Sequence, residues 1–177
     1  MVMTVDYRGS HTPHDIRDLW QTPKWLFDTL NYDGRYSLDI AASDYNHLVE
    51  NYITEEDNAF AYDFSDEWGK MVWCNPPYSD ITPWVDLAIT NQTEHGVGTT
   101  LLVPADTSVG WFKKAQESCD RIIFIIGGRV SFIRADTQEP VQGNTKGSVL
   151  LEWLPSRLNK QEVIFWDRDT IKNFSQG

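Results

Sequence analysis

The chain has 177 residues, 41% of them hydrophobic, and a formal net charge of −11. That length is one ordinary domain with enough apolar residues for a core, and no run approaches the roughly 18 apolar residues of a membrane span. The acidic balance argues against a simple polybasic nucleic-acid binder, because phosphate contacts come mostly from Lys and Arg.

From the N-terminus, Met1 to Asp18 is polar and lacks an apolar signal-peptide core. It reads as an arm, with a single domain over residues 19–177. Thr22-Pro23 predicts a helix start, with Thr at the N-cap and Pro at the first helical position. Leu26, Phe27 and Leu30 follow as an apolar stripe at helical spacing. Tyr36 to Ala41 predicts a strand with Asp39 near its end, and Ala42 to Val49 a short helix. Met71 to Cys74 is a buried strand that runs directly into Asn75. Thr82-Pro83 opens a second helix carrying Trp84, Val85, Ala88 and Ile89. Thr99 to Val103 predicts a strand ended by Pro104, and Trp111, Phe112 and Ala115 mark another helix. Arg121 to Ile126, Ser148 to Trp153 and Glu162 to Trp166 predict three more strands. Gly127-Gly128 separates the first of these from a short strand-like run, Val130 to Ile133. Gln138 to Gly147 reads as an exposed loop. Strands alternating with helices point to an α/β sheet.

The strongest chemical signal is Asn75-Pro76-Pro77-Tyr78 directly after an apolar strand. Two prolines have fixed φ and no N–H, so they hold a rigid extended turn and leave the Pro76 carbonyl free to accept a hydrogen bond. The Asn75 side-chain oxygen is a second acceptor. Two acceptors converging on one NH₂ group orient its nitrogen toward an electrophile, and Tyr78 offers a flat face to a planar base. The competing reading is a structural turn. Position favours chemistry, since ligands of open α/β sheets bind beyond the carboxyl ends of the strands.

Other reactive patterns are missing. Cys74 and Cys119 have no metal-ligand spacing, and His11, His14, His47 and His95 are scattered, so no metal site is expected. No phosphate loop or nucleophile elbow occurs. A disulfide-free cytoplasmic protein fits. Arg121, Arg129, Arg134, Lys146, Arg157 and Lys160 all lie in the C-terminal half, which suits either a phosphate-tracking face or a solvated surface.

The motif resembles that of the amino-directed DNA methyltransferases. The wider pattern is similar to the bacteriophage DNA N6-adenine methyltransferase (Dam-like) family. The matching pieces are Trp20-Gln21-Thr22-Pro23, Leu38-Asp39-Ile40-Ala41-Ala42-Ser43, Asp57-Asn58-Ala59-Phe60 and Val72 through Tyr78. Val103-Pro104-Ala105 and Gly128-Arg129-Val130-Ser131-Phe132 complete the set.

The resemblance implies a Rossmann-like S-adenosylmethionine-dependent methyltransferase fold, a mostly parallel sheet with helices on both faces. It would end in an antiparallel strand, for which Ser148 to Trp153 is the candidate. It implies methyl transfer from S-adenosylmethionine to the N6 amino group of adenine in DNA, in the cytoplasm, with a phage-infected bacterial host as one setting. Asn75, Pro76, Pro77 and Tyr78 would be catalytic. Trp20, Thr22 and Pro23 would lie at the cofactor's methionine carboxylate, with Asp39 at its ammonium and Ala41 leaving room for it. Either Asp57-Asn58 or Asp63 would contact its adenosine, with Phe60 or Phe64 flanking the ring. Target recognition would fall to short loops: Ser79 to Pro83, Ala105 to Gly110 and Arg134 to Lys146. The segment around Asp39 lacks the Gly-x-Gly common in nucleotide-binding methyltransferases. Two other readings stay open: methylation of a protein glutamine amide, and a non-catalytic nucleic-acid-binding module of the same fold. Oligomeric state is left open.

Overall fold

The computed structural model describes residues 18–141 and 144–175. Apart from Asp18, the N-terminal arm lies outside the described residues. Six apolar runs form strands: β1 (Tyr36–Asp39), β2 (Met71–Cys74), β3 (Gly98–Pro104), β4 (Arg121–Ile126), β5 (Ser148–Trp153) and β6 (Glu162–Asp167). They make one sheet in the order β1-β2-β3-β5-β4-β6. β1, β2 and β3 pair in parallel, as do β4 and β6, while β5 is antiparallel to both β3 and β4.

The sheet is therefore mixed, with β5 alone reversed. The family resemblance implies a reversed strand at the end, with Ser148 to Trp153 as its candidate; that strand is reversed but lies inside, between β3 and β4. Burial explains the placement. Every residue of β5 is buried, as an interior strand covered on both faces requires, whereas β6 is exposed at alternate positions and takes the edge.

Helices α1 (Lys24–Leu30), α2 (Thr82–His95), α3 (Gly110–Ser118) and α4 (Arg168–Phe174) cover the two faces. Val85 and Ala88 of α2, with Phe112 and Ala115 of α3, pack on Val72, Cys74, Leu101 and Leu151. Leu26, Phe27 and Leu30 of α1 pack on Tyr36, Trp73, Leu102 and Leu150 from the other side, where Ile171 of α4 joins them. At the C-terminus of α2, Gly96 takes φ 62° and lies against the Trp68 ring, so a side chain there would meet both backbone strain and the indole.

Local expectations fail where long-range partners take the backbone. α1 starts one residue late, with Pro23 extended at the cap position and no side-chain cap. Just before it, Gln21 and Ile133 pair through two backbone bonds, at 2.8 and 2.9 Å. Ala42 to Val49 is not helical. Ser43 and Asn46 close a tight turn, the Ala42 N–H bonds the Ile53 carbonyl, and the Leu48 N–H bonds Asp39 Oδ2 at 3.1 Å. Val130 to Ile133 forms no strand beyond bridges from Ile133 to Gln21 and Pro140.

At the amino end of the sheet, Glu152 of β5 is 1% exposed and accepts from Arg35 at 2.7 Å and from the Thr100 hydroxyl at 3.1 Å. The Arg121 guanidinium lies 3.7 Å from its other oxygen. No helix among the described residues is long and apolar enough to cross a membrane.

Candidate active site

β1 and β2 are adjacent and parallel, so Asp39 and Asn75 emerge at the same end of the sheet. The Asn75 Nδ2 group donates to the Trp20 carbonyl at 3.1 Å. A carbonyl only accepts, so this bond fixes the amide's orientation. Its oxygen, Oδ1, is then buried without a partner among the described residues. A buried acceptor left unpaired costs about 1–3 kcal/mol, which marks the place where a donor is expected. Trp20 Nε1 and Thr22 Oγ1 are orphaned in the same way. Three unpaired polar atoms thus gather on one short segment and the turn it touches. Among the described residues nothing donates to the Pro76 carbonyl. Pro76 is buried and Pro77 half-buried, which suits a stiff turn.

Tyr78 is more firmly held than a free stacking platform. Its hydroxyl donates to the Leu102 carbonyl of β3 at 3.1 Å, and burial raises its phenol well above the ordinary value. Its ring meets Phe132 edge-on at 5.9 Å, and Phe132 in turn stacks on Trp20 at 6.0 Å.

Asp39 is almost fully buried, and its two oxygens accept from the Leu48 and Ala41 N–H groups. Burial pushes its carboxyl up to about 6, against the lowering effect of those bonds. The same contacts draw residues 41–48 toward the Trp20–Thr22 segment. A cleft of about 410 Å³ opens between them, lined by Gln21, Thr22, Lys24, Asn46, His47 and Leu48 among others. Ala41 is half-buried, and neither it nor Asp39, Asp57 or Asn75 lines this cleft.

The two acids left open by the sequence are separated by the structure. Asp57 accepts from the Thr54 N–H and hydroxyl at 3.0 and 2.7 Å. Thr54 follows Ile53, which pairs with Asp39 and Ala42, so Asp57 belongs to the carboxyl end of β1. Asn58 caps the next turn by accepting from the Phe60 N–H, and Phe60 rests on Trp84 at the start of α2. Asp63 caps a separate turn, Phe64–Glu67, that leads into the start of β2, and hydrogen bonds from Ser65 hold its carboxyl low. Asp63 therefore faces the amino end of the sheet.

The C-terminal cations also divide. Arg129, Arg134 and Lys146 lie between β4 and β5, beyond the carboxyl ends of β3 and β4; Arg121, Arg157 and Lys160 lie at the opposite end. Arg134 is held by Asp136 at 2.7 Å and Lys146 by Asp106 at 2.6 Å. Arg129 bonds the Asn144 carbonyl and has no acidic partner among the described residues. The suggested recognition segments 79–83 and 105–110, with the described parts of the third, 134–141 and 144–146, follow β2, β3 and β4, and so sit at the same end as Asn75, while residues 142–143 lie outside the described residues. No cluster of metal-ligating side chains occurs among the described residues, and both cysteines are buried free thiols.

One residue of this end went unread in the sequence. Asp18 accepts from the Ser79 N–H at 3.0 Å and the Ser79 hydroxyl at 2.5 Å. The partners are 61 positions apart, and no local pattern announces the pair.

The family model described as DNA N-6-adenine-methyltransferase (Dam) matches residues 9–176. The chain belongs to that family. Among its relatives, a DNA N-6-adenine-methyltransferase of Escherichia phage T1 is 38% identical over 161 residues, covering 81% of this chain and 66% of the phage protein. One of Haemophilus phage HP1 is 32% identical, covering 82% of this chain and 84% of its own. A putative methyltransferase of Escherichia coli, YfdM, is 33% identical over 44% of the chain and 85% of its own length. No solved structure matches this family member.

Proposed function

We propose that this chain methylates the N6 amino group of adenine in DNA with S-adenosylmethionine as donor, on one domain of Rossmann-like methyltransferase fold over residues 19–177. The observation that carries the reading is the orphaned Asn75 Oδ1, turned inward by the Trp20 carbonyl at the carboxyl end of β2. Three parallel strands, β1, β2 and β3, with their helices support the fold reading. The glutamine-amide and non-catalytic readings find no support among the family matches.

The residues fit the cofactor. Thr22 Oγ1 and Trp20 Nε1 are buried polar atoms lacking partners, and the cleft beside Thr22 opens toward the loop that Asp39 holds. α1 has only seven residues and no side-chain cap, so the contact falls to Trp20, Thr22 and Pro23 rather than to a helix dipole. Asp39 meets the ammonium end beside Ala41, and Asp57 with Asn58 meets the adenosine in preference to Asp63. When bound, S-adenosylmethionine supplies a methyl group on an electrophilic sulfonium.

The protein's own part is positioning. The target base leaves the duplex, because its amino group is otherwise paired. Asn75 Oδ1 and the Pro76 carbonyl accept its two N–H bonds and aim the nitrogen, and Pro77 keeps the turn stiff. Tyr78 bounds the base pocket, with its ring anchored through Leu102. No covalent intermediate is needed, which suits the buried, high-pKa thiol of Cys74. The test is incubation with methyl-labelled S-adenosylmethionine and several DNAs, followed by nucleoside analysis. Label in N6-methyladenine is the expected result; label absent from every DNA overturns the reading.

The cofactor assignment predicts a pH dependence. Asp39 must be ionised to hold an ammonium group, and its carboxyl titrates near 6. Cofactor affinity should rise with pH through that value and level off above it, changing by up to about tenfold per unit below it. The stability sign is opposite. The folded state holds this proton more tightly than the unfolded chain, so the free protein loses stability as pH rises from the usual carboxylate range through about 6. Asp39→Ala should weaken binding by about 1.5–3 kcal/mol and remove the pH dependence. Calorimetry on folded protein measures both; an unchanged profile removes Asp39 from the ammonium site.

The division of cations predicts which of them meet DNA. Arg129→Glu should flatten the dependence of log affinity on log salt by about one unit, one phosphate's worth or slightly more. Lys160→Glu, at the far end, should leave it unchanged. Equal effects from the two would place DNA elsewhere.

A further inference from the structure

Residues 18–22 touch three parts of the site at once. Asp18 binds Ser79, the residue after Tyr78. The Trp20 carbonyl binds Asn75. Gln21 pairs with Ile133 in both directions. The same short segment ends in Thr22, which with Gln21 lines the cleft. The catalytic turn is therefore held at both ends, Asn75 and Ser79, by a strap that arrives from outside the sheet.

We propose that Asp18 is a positioning residue for methyl transfer: its carboxylate fixes Ser79 and so sets the turn that carries Asn75 and Tyr78. The inference rests on the methyltransferase reading above. Its physical basis is the number of anchors. Between β2 and α2 the turn spans residues 75–81, and Ser79 and Asp80 are exposed. Tyr78 is anchored by its hydroxyl and Asn75 by its amide, but those bonds hold side chains. Asp18 is the contact that holds the backbone beyond Tyr78, through the Ser79 N–H, and it locks the Ser79 hydroxyl as well. A carboxylate accepting both groups uses charge-assisted bonds, the stronger kind. Without it the turn keeps its prolines but loses its far anchor, and small displacements of positioned groups are costly to rate.

The experiment uses the full chain with S-adenosylmethionine and a DNA that the wild type methylates. Asp18→Ala should lower the single-turnover rate on the order of 10- to 100-fold, with cofactor affinity little changed. Asp18→Asn keeps an acceptor oxygen and should recover most of the loss. Ser79→Ala removes only the hydroxyl, and in combination with Asp18→Ala its effect should not add. Amide hydrogen exchange at Ser79 gives a readout independent of activity: it should quicken in Asp18→Ala and not in Asp18→Asn. A wild-type rate with unaltered Ser79 exchange overturns the proposal while leaving the methyltransferase reading in place. A wild type that methylates no DNA, with Ser79 exchange altered as expected, sinks the function instead and leaves the anchor. A loss in Asp18→Ala that appears wholly in cofactor affinity would make the strap a cofactor element and overturn the positioning role.

Discussion

Replacing Asn75 by alanine should leave the fold and cofactor affinity intact while slowing methyl transfer by roughly two to three orders of magnitude, the scale of one positioned catalytic hydrogen bond. The structure gives the reason for the selectivity. The amide nitrogen is spent on the Trp20 carbonyl, and the oxygen has no structural duty. Alanine removes that acceptor and, with it, the Nδ2 bond to the Trp20 carbonyl, so a stability loss of about 0.5–1.5 kcal/mol accompanies the rate effect, while the prolines and the Asp18–Ser79 contact still shape the turn. Asn75→Asp should fall between wild type and alanine. It retains an acceptor, but it sets a carboxylate oxygen against the Trp20 carbonyl where an N–H stood 3.1 Å away. Single-turnover rates at saturating cofactor and DNA measure all three forms. An alanine variant that methylates adenine at the wild-type rate would falsify the catalytic role and reduce the motif to a turn.

Arg35→Met should be the most destabilising of the substitutions considered. Glu152 is 1% exposed, and its closest cationic partner is Arg35 at 2.7 Å. Removing that partner leaves a buried carboxylate with the Thr100 hydroxyl and a more distant Arg121 at 3.7 Å. Breaking a buried pair from one side costs about 3–5 kcal/mol, which for a chain of this size lowers the melting temperature on the order of 10 °C. The double replacement Arg35→Met with Glu152→Leu should recover most of the loss, because an apolar pair of similar volume often does as well as the ions. Denaturant unfolding of the single and double variants measures this. A single-variant loss below about 1 kcal/mol, the scale of an exposed pair, would mean that Arg121 alone neutralises Glu152. The network lies at the amino end of the sheet, so activity per folded molecule should be unaffected.

The strands and the two long helices were legible because burial dictates their composition. Met71 to Cys74 is an apolar run, and Ser148 to Trp153 carries Val149, Leu150, Leu151 and Trp153 on both of its faces, as an interior strand requires. The turn at Asn75 was legible because proline chemistry is local. What escaped the sequence is long-range. Ala42 to Val49 carries Ser43, Asp44 and Asn46, which favour turns over helix interiors, and its N–H groups go to Asp39 and Ile53 instead of to carbonyls one turn back. Thr22 reads as the N-cap, yet Pro23 is extended and takes that place, so the Thr22 hydroxyl caps nothing and is left without a partner among the described residues. Asp18 and Ser79 are polar residues of no local distinction, and only the fold joins them. α4 was readable and missed. Asp167 accepts from the Thr170 N–H as an N-cap, and Asp169 follows in the first turn.

The internal position of β5 has a consequence for how the chain is made. β3 and β4 are never neighbours; each pairs with β5, which is built only from residues 148–153. A nascent chain that has reached residue 147 therefore holds a three-stranded parallel sheet with a raw edge at β3 and, apart from it, β4 with neither of its partners, β5 and β6. Such edges recruit other chains, and contacts that close late over long sequence separations are slow to form. Premature stops ahead of Ser148 should yield aggregates rather than weakened enzymes. Synthesis passes through its most vulnerable stage just before this one strand slides between its neighbours and seals them.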